Sequence, residues 1–536
     1  MTDGSPIVAS APRVPAGLLA AAVVAVLVAA AWWWLGRPVP VPPSPLAPGE
    51  KMACLSYAPY EGDQTPFDPT LTIPPDQIDR QLGELSKVTS CVRTYSTGQG
   101  LAAVPELAAK HGLKVLQGVW LSRNRTDNAK EIATAIELAK AYPDTIRGFV
   151  VGNEVLLRRD LPVATLAEAI RTVRQAVKPI PVTYADVWEF WEANAALAPE
   201  VDFVTIHMLP YWENQPIPVG QARDHVAKIY RDVQALLPPG KPILIGETGW
   251  PSRGRMREGA LPSPSDQVKF LTDIVALSKT NGWDYNLIEA LDQPWKRLLE
   301  GTVGGHWGVL DDQGAKKFTW GEPISDHPGW LWQGALGVVA AAGLVLLGRR
   351  TRGADRAKVV VLALVTGLAL PWWVEEIPVI SLDQWDWLFS GLLLALGIVL
   401  APLAVLALAR GGTRPGLAAV LGADPAGGKT DWIGRTIGWG LVLTIAIGLP
   451  TLIAMLIDSR YRDFQFSGFA VPAVALLVVP VIGAASRAER IVGLLLAVGA
   501  IGVVVNEGLQ NWQAILFSLA FLALAAALRP WRGARA

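Results

Sequence analysis

Hydrophobic positions along this chain change their period twice. From about residue 50 to 325, short apolar runs alternate with stretches in which apolar residues recur every three or four positions, the spacing of an amphipathic helix. On either side the apolar residues run together without a period. They do so from Ala16 to Leu35, and again over about 331–348, 358–374, 387–409, 437–457, 467–485, 491–505 and 512–528. A helix of about 20 apolar residues crosses a bilayer, so the pattern predicts eight spans, of which 491–505 is the shortest.

The first run closes with Trp32, Trp33 and Trp34, residues suited to a membrane–water interface. It is long for a signal-peptide core and has no small-x-small cleavage site beside it, so it reads as a retained anchor. The Pro-rich stretch from Arg37 to Pro48 reads as an extended, semi-rigid spacer. The expected organisation is an anchor over 1–36, a linker over 37–49, an α/β domain over 50–325 and a multi-span domain of about seven helices over 330–530.

Inside the α/β domain, strands are predicted at Ala53–Tyr57, Cys91–Tyr95, Lys114–Val119, Ile146–Val151, Val182–Tyr184, Phe203–His207, Ile243–Gly246 and Tyr285–Ala290. Helical patterns such as Asp76–Val88, Ala129–Ala141 and Asp266–Lys279 lie between them. Eight such units in roughly 270 residues is the arithmetic of a (β/α)₈ TIM barrel. An open doubly wound sheet is the alternative. The turn after its first strand would carry a Gly-rich phosphate fingerprint, whereas this chain has Tyr57-Ala-Pro-Tyr-Glu-Gly62.

Charge sharpens the membrane reading. Lys and Arg number 47 and Asp and Glu 47, and the α/β domain has no basic stripe, which argues against nucleic acid as a partner. In the C-terminal half, basic loops (Arg349 to Lys358; Arg410, Arg414, Lys429 and Arg435; Arg487 and Arg490; Arg529, Arg532 and Arg535) alternate with loops holding Glu375, Glu376, Asp383 and Asp386, then Asp458 to Asp463, then Glu507. The bias of Lys and Arg toward the cytoplasm then predicts a multi-pass protein of the cell (inner) membrane. Both termini would be cytoplasmic and the α/β domain extracytoplasmic, in the periplasm or its equivalent. Few charges fall deep in the spans, so no transport path is indicated. Asp458-Ser-Arg-Tyr-Arg-Asp463 reads either as an outer loop that meets a substrate or a partner, or as an interfacial anchor.

Cys54 and Cys91 fall in the first two predicted strands. Export permits a bridge between them, and two buried thiols are the other reading. Ala423 to Thr430 resembles a relaxed phosphate loop, but it follows no strand and its connector is too short for a nucleotide fold. Five histidines without ligand spacing suggest no metal, and nothing suggests a cofactor.

In a barrel, chemistry gathers at the C-terminal ends of the strands. Polar and aromatic residues collect there: Tyr57, Arg93, Tyr95, Asn153, Glu154, Tyr184, Asp186, His207, Tyr211, Glu247, Trp250, Glu289, Asp292, Trp295 and Lys296. Glu154 and Glu247 end the fourth and seventh predicted strands, on opposite sides of the mouth. Cleaving a glycosidic bond requires one carboxyl to protonate the leaving oxygen and a second to attack or stabilise the anomeric carbon. Asn153 is placed to hydrogen-bond a sugar 2-hydroxyl. His207 reads as a substrate contact or a hydrogen-bonded wall residue, and Glu289 as a site residue or as the partner of Lys296 or Arg93. Trp188, Trp191 and Trp212 read as sugar-stacking platforms or as packing residues of a lid.

The segments Tyr57-Ala-Pro-Tyr60, Val92-Arg-Thr-Tyr95, Val151-Gly-Asn-Glu154, Gly246-Glu-Thr-Gly-Trp-Pro-Ser252 and Asp292-Gln-Pro-Trp-Lys296 together resemble glycoside hydrolase family 17, the β-1,3-glucanase and glucanosyltransferase family. The resemblance covers about 52–320 and does not reach the membrane half. It implies a (β/α)₈ barrel and retention of configuration, with Glu154 similar to the family's acid/base and Glu247 to its nucleophile. By the same resemblance, Tyr57, Tyr211 and Trp250 match aromatic positions around the sugar, and Glu289 and Lys296 match supporting charges. The chain departs from plant members in having Pro210-Tyr211 where they have Tyr-Pro, which bears on linkage preference. The expectation is a membrane-anchored retaining β-glucan-active glycosidase. A β-glucan transglycosylase accessory to a membrane glucan synthase is the alternative, and a non-catalytic glucan-binding subunit of such a synthase the second. β-Glucan or a gluco-oligosaccharide, and the bilayer, are the implied partners.

Overall fold

A computed structural model describes residues 16–422, 430–483 and 485–529. The loop resembling a phosphate loop falls almost wholly outside the described residues, as do Arg532 and Arg535 of the basic tail. Two compact units result: Pro38–Asp326, and the described residues before Pro38 together with those from His327 onward.

The first unit is a closed barrel of eight parallel strands in sequence order. They are β1 (Leu55–Ser56), β2 (Cys91–Arg93), β3 (Lys114–Val119), β4 (Ile146–Asn153), β5 (Val182–Val187), β6 (Val204–His207), β7 (Ile243–Thr248) and β8 (Asp284–Leu287). Leu287 pairs with Leu55 to close the ring, which excludes the open sheet. The strand bounds differ from those read in the sequence in a useful way. β4 and β7 each run two residues further, so Asn153 and Glu247 are held by the sheet itself. β1 is shorter, although Tyr57 N–H still donates to Arg93 O at 2.7 Å.

The lumen is graded. Cys54, Cys91, Leu116, Val150, Ala185 and Leu244 fill one apolar layer, and the two cysteines, both pointing inward, form a disulfide. A polar layer follows, in which Thr183 and Thr205 hydroxyls lie 2.9 Å apart and Asn286 Nδ2 donates to Ser56 Oγ at 2.8 Å. The main core lies outside, between the strands and the surrounding helices. Those helices have local reasons to start and stop. Asn124 accepts from the N–H groups of Thr126 and Asp127 to open Arg125–Ala141. Ser263 opens Pro264–Asn281, and Gly282, at φ 66°, ends it in a conformation that suits glycine.

The second unit is helical. Gly17–Gly36, Trp330–Leu347, Gly353–Ile380, Gln384–Arg410, Trp432–Ile457 and Arg487–Glu507 are long and apolar enough to cross a membrane, and Phe466–Val478 and Trp512–Ala527 are shorter apolar helices. The expected span at 467–485 therefore stops early. Pro480 lacks an N–H and pushes Val479 out of the helical region (ψ 124°). Conversely, the span expected at 491–505 extends to a full-length helix, opened by a capping box between Ser486 and Glu489. Helices Trp330–Leu347 and Gly353–Ile380 cross through glycine. A Cβ on Gly337 would lie 2.1 Å from Gly367 O, a backbone approach of the kind that packs membrane helices. Trp32 Nε1 donates to the same Gly367 O at 3.0 Å.

Candidate active site

Glu154 and Glu247 meet because β4 and β7 end at the same mouth. Gly152, at φ 84°, turns the chain at the end of β4, and Glu154 follows at φ 52°. A side chain other than glycine is uncommon in that region and is held there by its surroundings. Glu154 N–H donates to Ala185 O at 2.8 Å. Leu156 N–H reaches Tyr184 Oη at 3.0 Å and Asp186 Oδ2 at 3.3 Å. Arg158 binds Asn153 O and donates to Leu121 O. The loop that aims Glu154 is thus tied down at three points, two of them side chains that sequence reasoning had placed elsewhere or missed.

Glu154, His207 and Glu247 each offer one atom within 4.8 Å of the others. His207 Nδ1 lies 2.9 Å from Glu154 Oε1, and its Nε2 lies 3.8 Å from Glu247 Oε1. Fold topology makes this grouping, which no spacing in the sequence announces. It has the geometry of a metal triad, but Arg93 Nη1 donates to Glu247 Oε1 at 3.1 Å, setting a fixed cation against the oxygen a metal would need. Tyr95 Oη donates to the same oxygen at 2.8 Å and lies 2.9 Å from Ser56 Oγ.

The two carboxylates differ in environment. Glu247 is buried, and burial alone would raise its pKa. His207, Arg93, the Tyr95 hydrogen bond and Lys296 together outweigh burial and hold it below the ordinary glutamate value. Glu154 is more open, with its side chain 23% exposed. Arg93 Nη2 donates to Asn153 Oδ1, which leaves the Asn153 –NH₂ as the end turned to the cleft. Glu289 accepts from Lys296 Nζ at 2.7 Å. Burial raises Glu289 to about 7, against the pull of Lys296. Glu300, missed in the sequence, is also raised by burial and adds negative charge beside Lys296.

Four aromatic residues expected to touch substrate are buried, with their polar atoms bonded within the protein. Tyr57 donates to Gln81 Oε1 at 2.6 Å, Tyr184 pairs with Asp186, Tyr211 donates to Arg255 O at 2.7 Å, and Trp250 Nε1 donates to Leu261 O at 2.9 Å. All four are at most 1% exposed. Each spends its polar atom on a hydrogen bond inside the wall. Arg93, His207 and Glu289 are equally buried and act on the carboxylates and on Lys296. Trp191 is likewise a packing residue, with Nε1 on Thr205 O at 2.8 Å. Trp212 is stacked on Trp307, centroids 6.3 Å apart, whereas Trp188 remains partly exposed. Trp120, under the Arg158 guanidinium at 4.2 Å, is a further partly exposed ring at the mouth. Its signal was present in the sequence, one residue beyond the expected end of the third strand at Val119.

With this geometry in hand, the comparisons are informative. Residues 54–308 match the model of the BtgE/BtgC glycoside hydrolase domain. The barrel is thus of the glycoside hydrolase kind. A probable glucan endo-1,3-beta-glucosidase, btgC, of Aspergillus clavatus is 30% identical over 308 residues, covering 51% of this chain and 43% of that protein. A glucan 1,3-beta-glucosidase of Saccharomyces cerevisiae is 27% identical over 263 residues, covering 45% of this chain and 83% of that protein. Among solved structures, an active-site mutant of the Rhizomucor miehei beta-1,3-glucanosyltransferase in complex with laminaritriose aligns at 25% identity. It covers 50% of this chain and 97% of that one, with a TM-score of 0.45. The chain spans less than half the length of the Aspergillus proteins it matches.

Proposed function

We propose that this glycoside hydrolase domain acts on β-1,3-glucan by double displacement, with retention of configuration. The observation that carries the reading is the separation of the two carboxylates: oxygens of Glu154 and Glu247 lie within 4.8 Å. Retaining pairs are about 5–5.5 Å apart, whereas inverting pairs leave about 6.5–9.5 Å for a water.

In this mechanism, Glu247 attacks the anomeric carbon as Glu154 gives its proton to the leaving oxygen, and the glycosidic bond breaks. Glu154, now a carboxylate, takes a proton from the acceptor hydroxyl. The acceptor oxygen then displaces Glu247 from the anomeric carbon. Arg93 and Tyr95 keep Glu247 ionised for the first step, since both contact its Oε1. The Asn153 –NH₂ is available to a sugar 2-hydroxyl, a bond that strengthens in the transition state.

A 2-deoxy-2-fluoro β-glucosyl donor of the β-1,3 series tests the reading. Incubated with the detergent-solubilised chain, it is expected to leave one covalent sugar on the peptide carrying Glu247. Labelling elsewhere, or an α-configured product by NMR, would overturn it.

A second reading rests on the helical unit. Six helices able to span a bilayer are more than tethering needs, which favours a transglycosylase that extends or branches glucan made at the same membrane by a synthase. The expected arrangement is multi-pass, with the barrel extracytoplasmic and both termini cytoplasmic. Mass spectrometry of products from a defined β-1,3-gluco-oligosaccharide separates the two. Products longer than the substrate mean transfer, and only shorter ones mean hydrolysis.

A further inference from the structure

The helical unit contains a cavity that glucan chemistry does not explain. It measures about 470 Å³ and lies among Lys358, Arg414, Arg529, Leu477, Val479 and Ala526, within the size range of small-molecule sites. Three cations from three distant segments converge on it: the start of Gly353–Ile380, the loop after Gln384–Arg410, and the residue just beyond Trp512–Ala527. No acidic side chain lines it among the described residues.

Arg414 is the unusual member. It is 1% exposed, and its guanidinium donates only to backbone carbonyls, Leu476 O at 3.1 Å, Ala527 O at 2.6 Å and Pro415 O at 3.4 Å. The first two carbonyls lie at the ends of Phe466–Val478 and Trp512–Ala527, so Arg414 serves as the C-terminal cap of both helices. That role alone does not require Arg529, whose Nη1 donates to Gly483 O at 2.7 Å, to stand near enough to repel it. Nor does it require Lys358 on the same wall, paired with Asp355 at 2.8 Å on its other side. Burial and the neighbouring Arg529 push Arg414 down to about 10, which still leaves its guanidinium charged at neutral pH. Clustered cations over an apolar pocket are stabilised by an anion that brings several acceptor oxygens, and the guanidinium fork matches phosphate. The cavity also belongs to the end of the unit that carries Arg349, Arg350, Arg352, Arg356, Arg487 and Arg490. Basic pockets between spanning helices on that side receive phospholipid headgroups.

We infer that this cavity binds a phosphate-bearing anion, supplied by the headgroup of an anionic membrane lipid whose chains lie against Leu477 and Val479. The site is independent of the barrel's chemistry.

Native mass spectrometry of the full chain in mild detergent tests it, with phosphatidylglycerol, phosphatidylcholine and inorganic phosphate as separate probes. The comparison is between the wild type and Lys358→Gln/Arg529→Gln, a pair that leaves the Arg414 cap intact. One phosphatidylglycerol should be retained per wild-type chain, phosphatidylcholine should not be retained, and the double variant should hold phosphatidylglycerol at least about tenfold more weakly. A charge-preserving Lys358→Arg/Arg529→Lys chain should retain it, which separates loss of charge from misfolding. If inorganic phosphate binds the wild type but not the glutamine variant while no lipid is retained, the phosphate site stands and the lipid source is overturned. Equal retention of phosphatidylcholine, or unchanged phosphatidylglycerol retention in the glutamine variant of normal melting behaviour, overturns the proposal.

Discussion

In the barrel, Arg93, His207, Glu247 and Glu289 are buried side by side, with Arg93 and His207 set against Glu247 and Lys296 set against Glu289. In the helical unit, buried polar side chains are scattered: Thr366 and Thr444 fold back on their own helices, on Leu362 O and Gly440 O at 2.7 Å, whereas Ser467 bonds Glu376 and Ser381 bonds Ser390 across segments. Both units carry the desolvation cost of polar groups. The helical unit offsets it in small, separate hydrogen-bonded pairs. In the proposed mechanism the barrel accepts it in order to hold fixed charges where charge develops during reaction, which is where preorganised electrostatics has its largest effect. One unit is therefore expected to fail in chemistry when perturbed, and the other in assembly.

The largest test of that contrast is Glu247→Gln. The swap keeps volume and removes the attacking carboxylate. The rate on a β-1,3-gluco-oligosaccharide should fall by about 10⁴-fold or more, with the melting temperature of the solubilised chain little changed. A variant retaining full turnover would remove Glu247 from the mechanism.

In the helical unit the corresponding lesion is Gly337→Leu. A Cβ there meets Gly367 O at 2.1 Å, so the two helices must separate and Trp32 must lose its carbonyl partner. Overpacking of this kind costs about 1–3 kcal/mol or more. The yield and thermal stability of the chain should drop while the rate per correctly folded molecule stays constant. A parallel loss of rate per folded molecule would show that the two units are coupled in function.

The same contrast governs what could be read from the sequence. The barrel was legible because alternation of strand and helix periods is imposed by burial, and β3 appears with the bounds its pattern predicts, Lys114–Val119. The two glutamates were legible because their motifs close two of those strands. What the pattern could not show is direction. Tyr57, Tyr184, Tyr211 and Trp250 stand at the right ends of the right strands, but their rings face the packed wall. The inward aim of Cys54 and Cys91 was equally hidden, since a shift of one residue in a strand reverses its face. In the membrane half, hydropathy marks where helices are but is blind to Arg414. Its burial depends on Pro480 cutting a helix short and leaving carbonyls for it to bind.

Arg93→Met gives a smaller and more specific effect. Arg93 helps hold Glu247 below its ordinary pKa, and Glu247 must be a carboxylate to attack. Removing the cation raises that pKa, so the acid limb of the kcat/KM profile should move to higher pH, by about 1 unit. The rate at the optimum should fall by about 10–100-fold as Asn153 loses its anchor. Arg93→Lys should restore part of the pH shift without restoring the Asn153 contact. An acid limb that stays in place in the methionine variant would mean that His207, Tyr95 and Lys296 set the ionisation of Glu247 without Arg93.

The smallest effect lies in the barrel at a group whose charged neighbours are Asp326 and Lys269, not the site's carboxylates, and it asks whether buried charge is costly when it serves no reaction. Asp266, in the first turn of Pro264–Asn281, is raised to about 6 by burial and by Asp326, with Lys269 opposing. A raised carboxyl keeps its proton longer in the folded chain than in the unfolded one. Its contribution to stability is therefore full below the unfolded value of 3.8 and is lost as pH rises through about 6. Asp266→Asn mimics the protonated form. It should unfold at higher urea than the wild type at pH 7, by about 1 kcal/mol once partial exposure and the favourable helix N-terminus are allowed for, and the gap should close by pH 4. Urea unfolding read by proteolytic cleavage within 38–326 measures it. A gap of equal size at both pH values would mean that asparagine stabilises through packing, and that the barrel tolerates buried charge without cost even where no chemistry uses it.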